Sequence, residues 1–142
     1  MATTESQISN LARLVQHPAE SIETPQGVLL AQVSNTVVGL YKRLYGKGPT
    51  KARSYFLDGA VVTVLRGGLT RAELTLIESG RADIVKRQRQ EFQEAVRDEF
   101  IDAVSGVLGR QVVAFTSAMH HDPDLSVEVF VLEHDGRPDN GS

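Results

Sequence analysis

Cysteine is missing from this 142-residue chain, which excludes disulfide frameworks, thiolate zinc sites and cysteine nucleophiles at the outset. Long apolar runs are missing as well. None approaches the ~20 residues that a membrane-spanning helix needs, and the polar N-terminal stretch lacks the apolar core of a secretory signal. Both absences fit a cytoplasmic protein with no direct membrane insertion. Familiar catalytic signatures are also absent: there is no G-x-S-x-G, no H-E-x-x-H, no G-x-G-x-x-G and no Walker pattern. Nothing in the chain spells out a reaction or demands a cofactor, and the reading favours a non-enzyme.

Strong net charge is lacking too, at −3, but its distribution is uneven. From Lys42 to Arg53 there are five basic residues and no acid, whereas from Gln111 to Ser142 there are six acids and one arginine. Such asymmetry steers anionic partners to one end of a molecule. The modest total argues against a dedicated nucleic-acid binder, whose domain pI usually exceeds ~9.

What is present reads as one domain, since 142 residues suffice to bury a core without metals or disulfides. Residues 1–25 read as a flexible arm containing a short apolar patch, "ISNLARLV". The body runs over 26–133, and 134–142 form a turn-rich, acidic tail expected to be disordered. After Pro25, apolar residues at three- and four-residue steps (Leu29, Val33, Val37, Leu40, Leu44) predict a helix ending at Gly46. The β-rich runs "RSYFL" and "AVVTVLR" flank Asp58 and Gly59, a pair suited to a two-residue type I′ turn. That turn sets the register, placing Arg53 opposite Val64, Tyr55 opposite Val62 and Phe56 opposite Val61.

"LTRAE" carries a capping box, Thr70 with Glu73, opening a short helix stopped by Gly80. From Arg81 to Leu108 a stripe of Val85, Phe92, Val96, Phe100, Ala103 and Val107 marks a long helix capped by Gly109, with "KRQRQE" polar on nearly every side. "QVVAFTSAM" and "LSVEVFVLE" predict two strands around the turn "HHDPD". Val127, Val129 and Val131 point one way and Phe130 and Leu132 the other. The expected architecture is α+β: helix, β-hairpin, two helices, β-hairpin, with a four-stranded antiparallel or mixed sheet. Both hairpins are apolar on both faces, and a 28-residue helix spans ~42 Å, more than the diameter of so small a body. These two features predict a homodimer.

Three stretches are candidate sites. In "YGKGPTKAR", Lys47, Lys51 and Arg53 stand among Gly46 and Gly48 and are able to ring an anion; the plainer reading is a solvated loop between helix and hairpin. In "LRGGLTRAE", Gly67 and Gly68 lead into a helix start, with Arg66 and Arg71 beside it. The backbone amides there form either a nest for a phosphate or carboxylate or a tight strand-to-helix turn. "HHDPD" offers His120, His121 and Asp122 as weak metal-ligand candidates, since adjacent strand residues face opposite ways and a turn explains the rest. Arg87, Glu91, Glu94 and Asp98 read as a wet, ion-paired helix face.

The combination "GKGPTKAR", "LRGGLTRAE", "GVLGRQVVAF" and "DPDLSVEVFVLE", in that order over Gln26 to Glu133, resembles the MpsC-like family, a bacterial domain formerly of unknown function. The family is described as a component of a sodium-translocating, membrane-potential-generating system. The resemblance implies a soluble accessory partner of a membrane transporter and carries over no site residue. The leading expectation is a homodimeric accessory or regulatory domain that uses its basic loop to dock on a protein or anionic partner. The alternatives are a nucleic-acid-binding module using Lys42 to Arg53, and a phosphate- or carboxylate-binding protein or enzyme.

Overall fold

The computed structural model describes residues 24–134, so nearly all of the expected arm and tail lies outside the described residues. The elements follow the expected order. Helix α1 (Pro25–Leu40) continues through a widened π-helical turn (Tyr41–Tyr45), and then come β1 (Lys51–Leu57), β2 (Ala60–Arg66), α2 (Arg71–Glu78), α3 (Ala82–Leu108), β3 (Val112–His121) and β4 (Asp124–Leu132). Helix α1 starts where the Thr24 hydroxyl accepts the Gly27 amide at 2.9 Å and Pro25 takes the first helical position, where its missing N–H costs nothing. Its widened end is closed by Gly46. Helix α2 opens on the expected capping box: the Thr70 hydroxyl accepts the Glu73 amide while the Glu73 carboxylate accepts the Thr70 amide.

Between β1 and β2, Asp58 and Gly59 both take positive φ angles, 40° and 85°, and the register is the one that turn dictates, with Arg53 opposite Val64 and Tyr55 opposite Val62. The sheet is antiparallel throughout, in the order β1-β2-β4-β3. The second hairpin is longer than its sequence suggests. His120 and His121 belong to β3 and Asp124 to β4, which leaves Asp122 and Pro123 as the connection. A bulge between Val112 and Ala114 displaces the start of β3.

Both long helices cover the same face of the sheet. Leu30, Val33 and Val37 of α1 and Phe100 and Val104 of α3 share one core with Val61, Leu65, Phe115 and Phe130 of the strands. Phe100, Phe115 and Phe130 stack through it with centroids 5.5 and 4.9 Å apart. Among the described residues no helix lies over the other face of the sheet, and α3 runs unbroken for 27 residues.

Candidate functional site

The register sorts the sheet's side chains into rows, and the uncovered face collects the basic residues. Lys51, Arg66, Leu125 and His120 form its first row, then Arg53, Val64, Val127 and Ala118, then Tyr55, Val62, Val129 and Thr116, and last Leu57, Ala60, Val131 and Ala114. Lys51 and Arg66 are thus direct cross-strand neighbours with Arg53 in the next row, and all three are exposed. Like charges placed opposite each other destabilise a strand pair, and no ion pair to an acid relieves these three among the described residues. Three rows of largely apolar side chains continue from this cationic corner.

The other basic residues of the candidate loop are placed elsewhere. The Lys47 ammonium donates to the Leu69 carbonyl at 2.8 Å, strapping the loop that follows Gly46 to the turn after β2, and the Lys42 stem packs against Gly48. Arg71 is exposed in the first turn of α2.

The turn at Gly67 and Gly68 is knitted from within. Gly67, at φ 73°, lies so close to Thr50 that a Cβ would fall 2.2 Å from its hydroxyl. Three of the amides at this turn meet acceptors from the chain itself. Gly67 donates to the Asp124 carbonyl at 3.3 Å, Leu69 to the Asp124 carboxylate at 3.2 Å, and Thr70 to Glu73 at 2.8 Å. In "HHDPD", His120 Nδ1 lies 3.0 Å from the Pro123 carbonyl. No group of three or more His, Asp or Glu among the described residues is placed to hold a metal ion.

The covered face holds a feature the sequence reading missed. Its second row is polar from edge to edge: Ser54, Thr63, Glu128 and Ser117, one from each strand. The Ser54 hydroxyl bonds Thr63 and Ser34 of α1, each at 2.8 Å. Glu128 has no exposed surface, and the Tyr41 hydroxyl donates to its Oε1 while accepting from the Gln93 amide nitrogen. Burial pushes the Glu128 carboxyl above its ordinary range; Ser117, Tyr41 and Arg89 pull it back only in part. Burial and the adjoining carboxyl in turn hold the Tyr41 hydroxyl well above its usual value, so each group holds its proton more tightly than it would in water.

Beside this row lies a buried ion pair. Arg89 of α3 grips Glu73 with Nε at 2.7 Å and Nη2 at 2.6 Å, and Nη2 also donates to the Gly68 carbonyl at 2.8 Å. The Tyr45 hydroxyl donates to Glu73, and the Arg89 guanidinium sits 4.2 Å from the centre of the Tyr45 ring. Burial alone would raise the Glu73 carboxyl, but bonds from Arg89, the Thr70 amide and Tyr45 outweigh it and hold the group below its ordinary range. Burial and the Glu73 bond push the Tyr45 hydroxyl up to about 12. Glu73 therefore caps α2 and neutralises Arg89 at once.

Between the first half of α3 and β3 the inner face opens into a cleft of about 180 Å³, whose walls include Tyr41, Lys86, Arg89, Gln93, Ser117 and Met119. The polar first half of α3 is explained here: Lys86, Arg89, Gln90 and Gln93 turn toward the cleft, while Arg87, Glu91, Glu94 and Asp98 are exposed. Among the described residues, the buried side-chain atoms Gln93 Oε1, Glu128 Oε2 and His121 Nδ1 have no hydrogen-bond partner. One sequence signal marks Glu128: alternation puts it on the same side as Phe130 and Leu132, a lone acid in an apolar series. No local spacing signals the Glu73–Arg89 pair.

The architecture defines a two-layer α+β domain with one helix-covered sheet face, one open face and a polar seam through its interior. The chain belongs to the MpsC family, described as "Na+-translocating membrane potential-generating system", which matches residues 25–134. It is also similar to the uncharacterized protein YrhF of Bacillus subtilis (strain 168), with 24% identity over 96 residues, covering 66% of this chain and 79% of that protein. No solved structure matches the chain significantly.

Proposed function

We propose that this domain is a non-enzymatic accessory or regulatory component of a sodium-translocating, membrane-potential-generating system, and that it docks on an acidic protein surface through the cationic corner of its open sheet face. The observation that carries the proposal is the trio Lys51, Arg53 and Arg66, exposed and without acidic partners among the described residues, two of them held in direct cross-strand opposition. A fold that tolerates this repulsion gains from an anionic partner laid across it. Family membership supports the membrane system, and none of the described helices is long and apolar enough to cross a membrane, which supports attachment through a partner.

The apolar rows beside the corner suit a second copy of the chain, with the cations left at the rim of the interface, the usual division between an apolar interface core and a charged border. Sedimentation at micromolar concentration tests the pairing; a monomer alone would refute it. For the partner, a photo-crosslinking amino acid replacing Tyr55 is expected to capture an integral membrane protein in cells, with capture lost in the Lys51→Ser, Arg53→Ser, Arg66→Ser triple variant. Capture that survives the triple variant would refute the cationic corner as the docking site. Binding of duplex DNA instead, with a salt slope near −0.9 per phosphate contacted, would replace the protein partner with a nucleic acid.

A further inference from the structure

Gln93 lines the cleft, and among the described residues its Oε1 has no hydrogen-bond partner. The other two unsatisfied atoms belong to Glu128 and His121, which flank the row of Met119 and Ser126, and both of those residues line the cleft. Buried polar atoms in folded proteins nearly always have a partner, so the orphan on Gln93 marks a place where one belongs. The charges say which kind. Among the described residues Lys86 makes no ion pair, and the guanidinium of Arg89 uses Nε and Nη2 on Glu73 and Gly68 while Nη1 makes no hydrogen bond. A metal cation would meet both of these positive groups. A dianionic phosphate would lie beside Glu73, which already consumes the charge of Arg89. One net positive charge, from Lys86, remains for a monoanion.

We propose that the cleft between α3 and β3 binds a small monocarboxylate that carries a hydroxyl donor next to the carboxylate. Lys86 and Arg89 Nη1 receive the carboxylate, and the donor satisfies Gln93 Oε1, which otherwise has none. At about 180 Å³ the space lies below the ~300–1,000 Å³ of drug-sized sites, so the occupant is small. This site lies on the opposite face of the sheet from the docking corner and stands or falls independently of it.

The test uses four three-carbon probes on the full chain, followed by amide chemical-shift titration. L-Lactate carries both carboxylate and hydroxyl, L-alanine puts an ammonium where lactate has its hydroxyl, propionate lacks the donor, and 1,2-propanediol lacks the carboxylate. Lactate is expected to shift the amides around Lys86, Gln93, Ser117 and Met119 saturably below about 10 mM, with alanine, propionate and propanediol at least about tenfold weaker. Lys86→Gln, a change at an exposed position, is expected to keep the native amide dispersion and weaken lactate binding about tenfold. Gln93→Met should erase the preference for lactate over propionate. The proposal is overturned by any of three results: no saturable shift with lactate up to about 10 mM, shifts centred outside the cleft, or propionate or alanine binding as tightly as lactate. Because the probes alone decide it, the outcome does not hang on the folding of either variant.

Discussion

Phe130 and Val131 are adjacent in β4, yet one is fully buried under two helices and the other is 39% exposed on the opposite face. The contrast runs through the whole sheet, and it inverts the usual distribution. The helix-covered face carries a polar row from Ser54 to Ser117 through its middle, while the open face presents valines flanked by cations. Alternation decides which residues share a face, but what lies over each face is decided by where the helices pack. Polar groups on the covered side must therefore find partners within the protein, and apolar groups on the open side must find theirs elsewhere.

The comparison is broken most severely by removing Arg89. Arg89→Met leaves the Glu73 carboxylate buried without its counter-ion, and denaturant unfolding is expected to show a loss of about 3–5 kcal/mol. A loss under about 1 kcal/mol would mean that water reaches Glu73 freely.

A sharper probe of the two faces pairs neighbours. Phe130→Ala should cost about 3–5 kcal/mol, because it empties a fully buried end of the aromatic stack, and Val129→Ala on the open face about 1 kcal/mol or less. If the valine change costs as much as the phenylalanine change, measured at micromolar protein, the open face is covered in solution by a second copy.

The two buried carboxylates set opposite pH dependences. Glu128 is raised above its unfolded value near 4.5, so the folded state holds its proton more tightly than the unfolded chain does. Its contribution is full at low pH and is lost as pH rises from about 4.5 toward the folded value, at up to about 1.4 kcal/mol per pH unit for one proton. Glu73 is lowered, so its contribution is present above 4.5 and is lost as pH falls through the folded value. Glu128→Gln retains an acceptor for Tyr41 and removes the first effect. Relative to the parent, the variant should gain stability as pH rises above 4.5, and parallel stability curves would show that Glu128 is not held protonated.

The smallest effect belongs to the open corner. Lys51→Ser relieves one member of an opposed like-charge pair, so stability should rise by a few tenths of a kcal/mol at low salt and the gain should fade as salt is added. A loss at low salt would mean that the lysine stem contributes packing that outweighs the repulsion.

Much of the architecture is legible in the sequence because it is locally determined. The Asp58–Gly59 turn fixes one register, the Thr70–Glu73 box starts one helix, and Gly46 and Gly109 end two others. Strand order is not legible in the same way. It depends on β2 meeting β4, some sixty residues apart in sequence, and both are valine-rich strands able to pair on either edge. The interior site was half legible. Glu128 is betrayed by its phase in β4, but Glu73 has a sufficient local role as a cap, and its union with Arg89 comes only from packing α2 against α3. Lys47 shows the converse: a cation in a glycine-rich loop invites a ligand reading, and its ammonium is bonded to a backbone carbonyl instead.

The strand order also decides which backbones are left unpaired. With β2 and β4 in the middle, β1 and β3 are the edges, and among the described residues no further strand pairs with either, the geometry from which runaway sheet growth begins. On one side stand Lys51 and Arg53, whose charges repel a like strand, and on the other the displaced start of β3 at Val113 spoils the flat template that an added strand requires. Viewed from its borders, the sheet is guarded against a fifth strand.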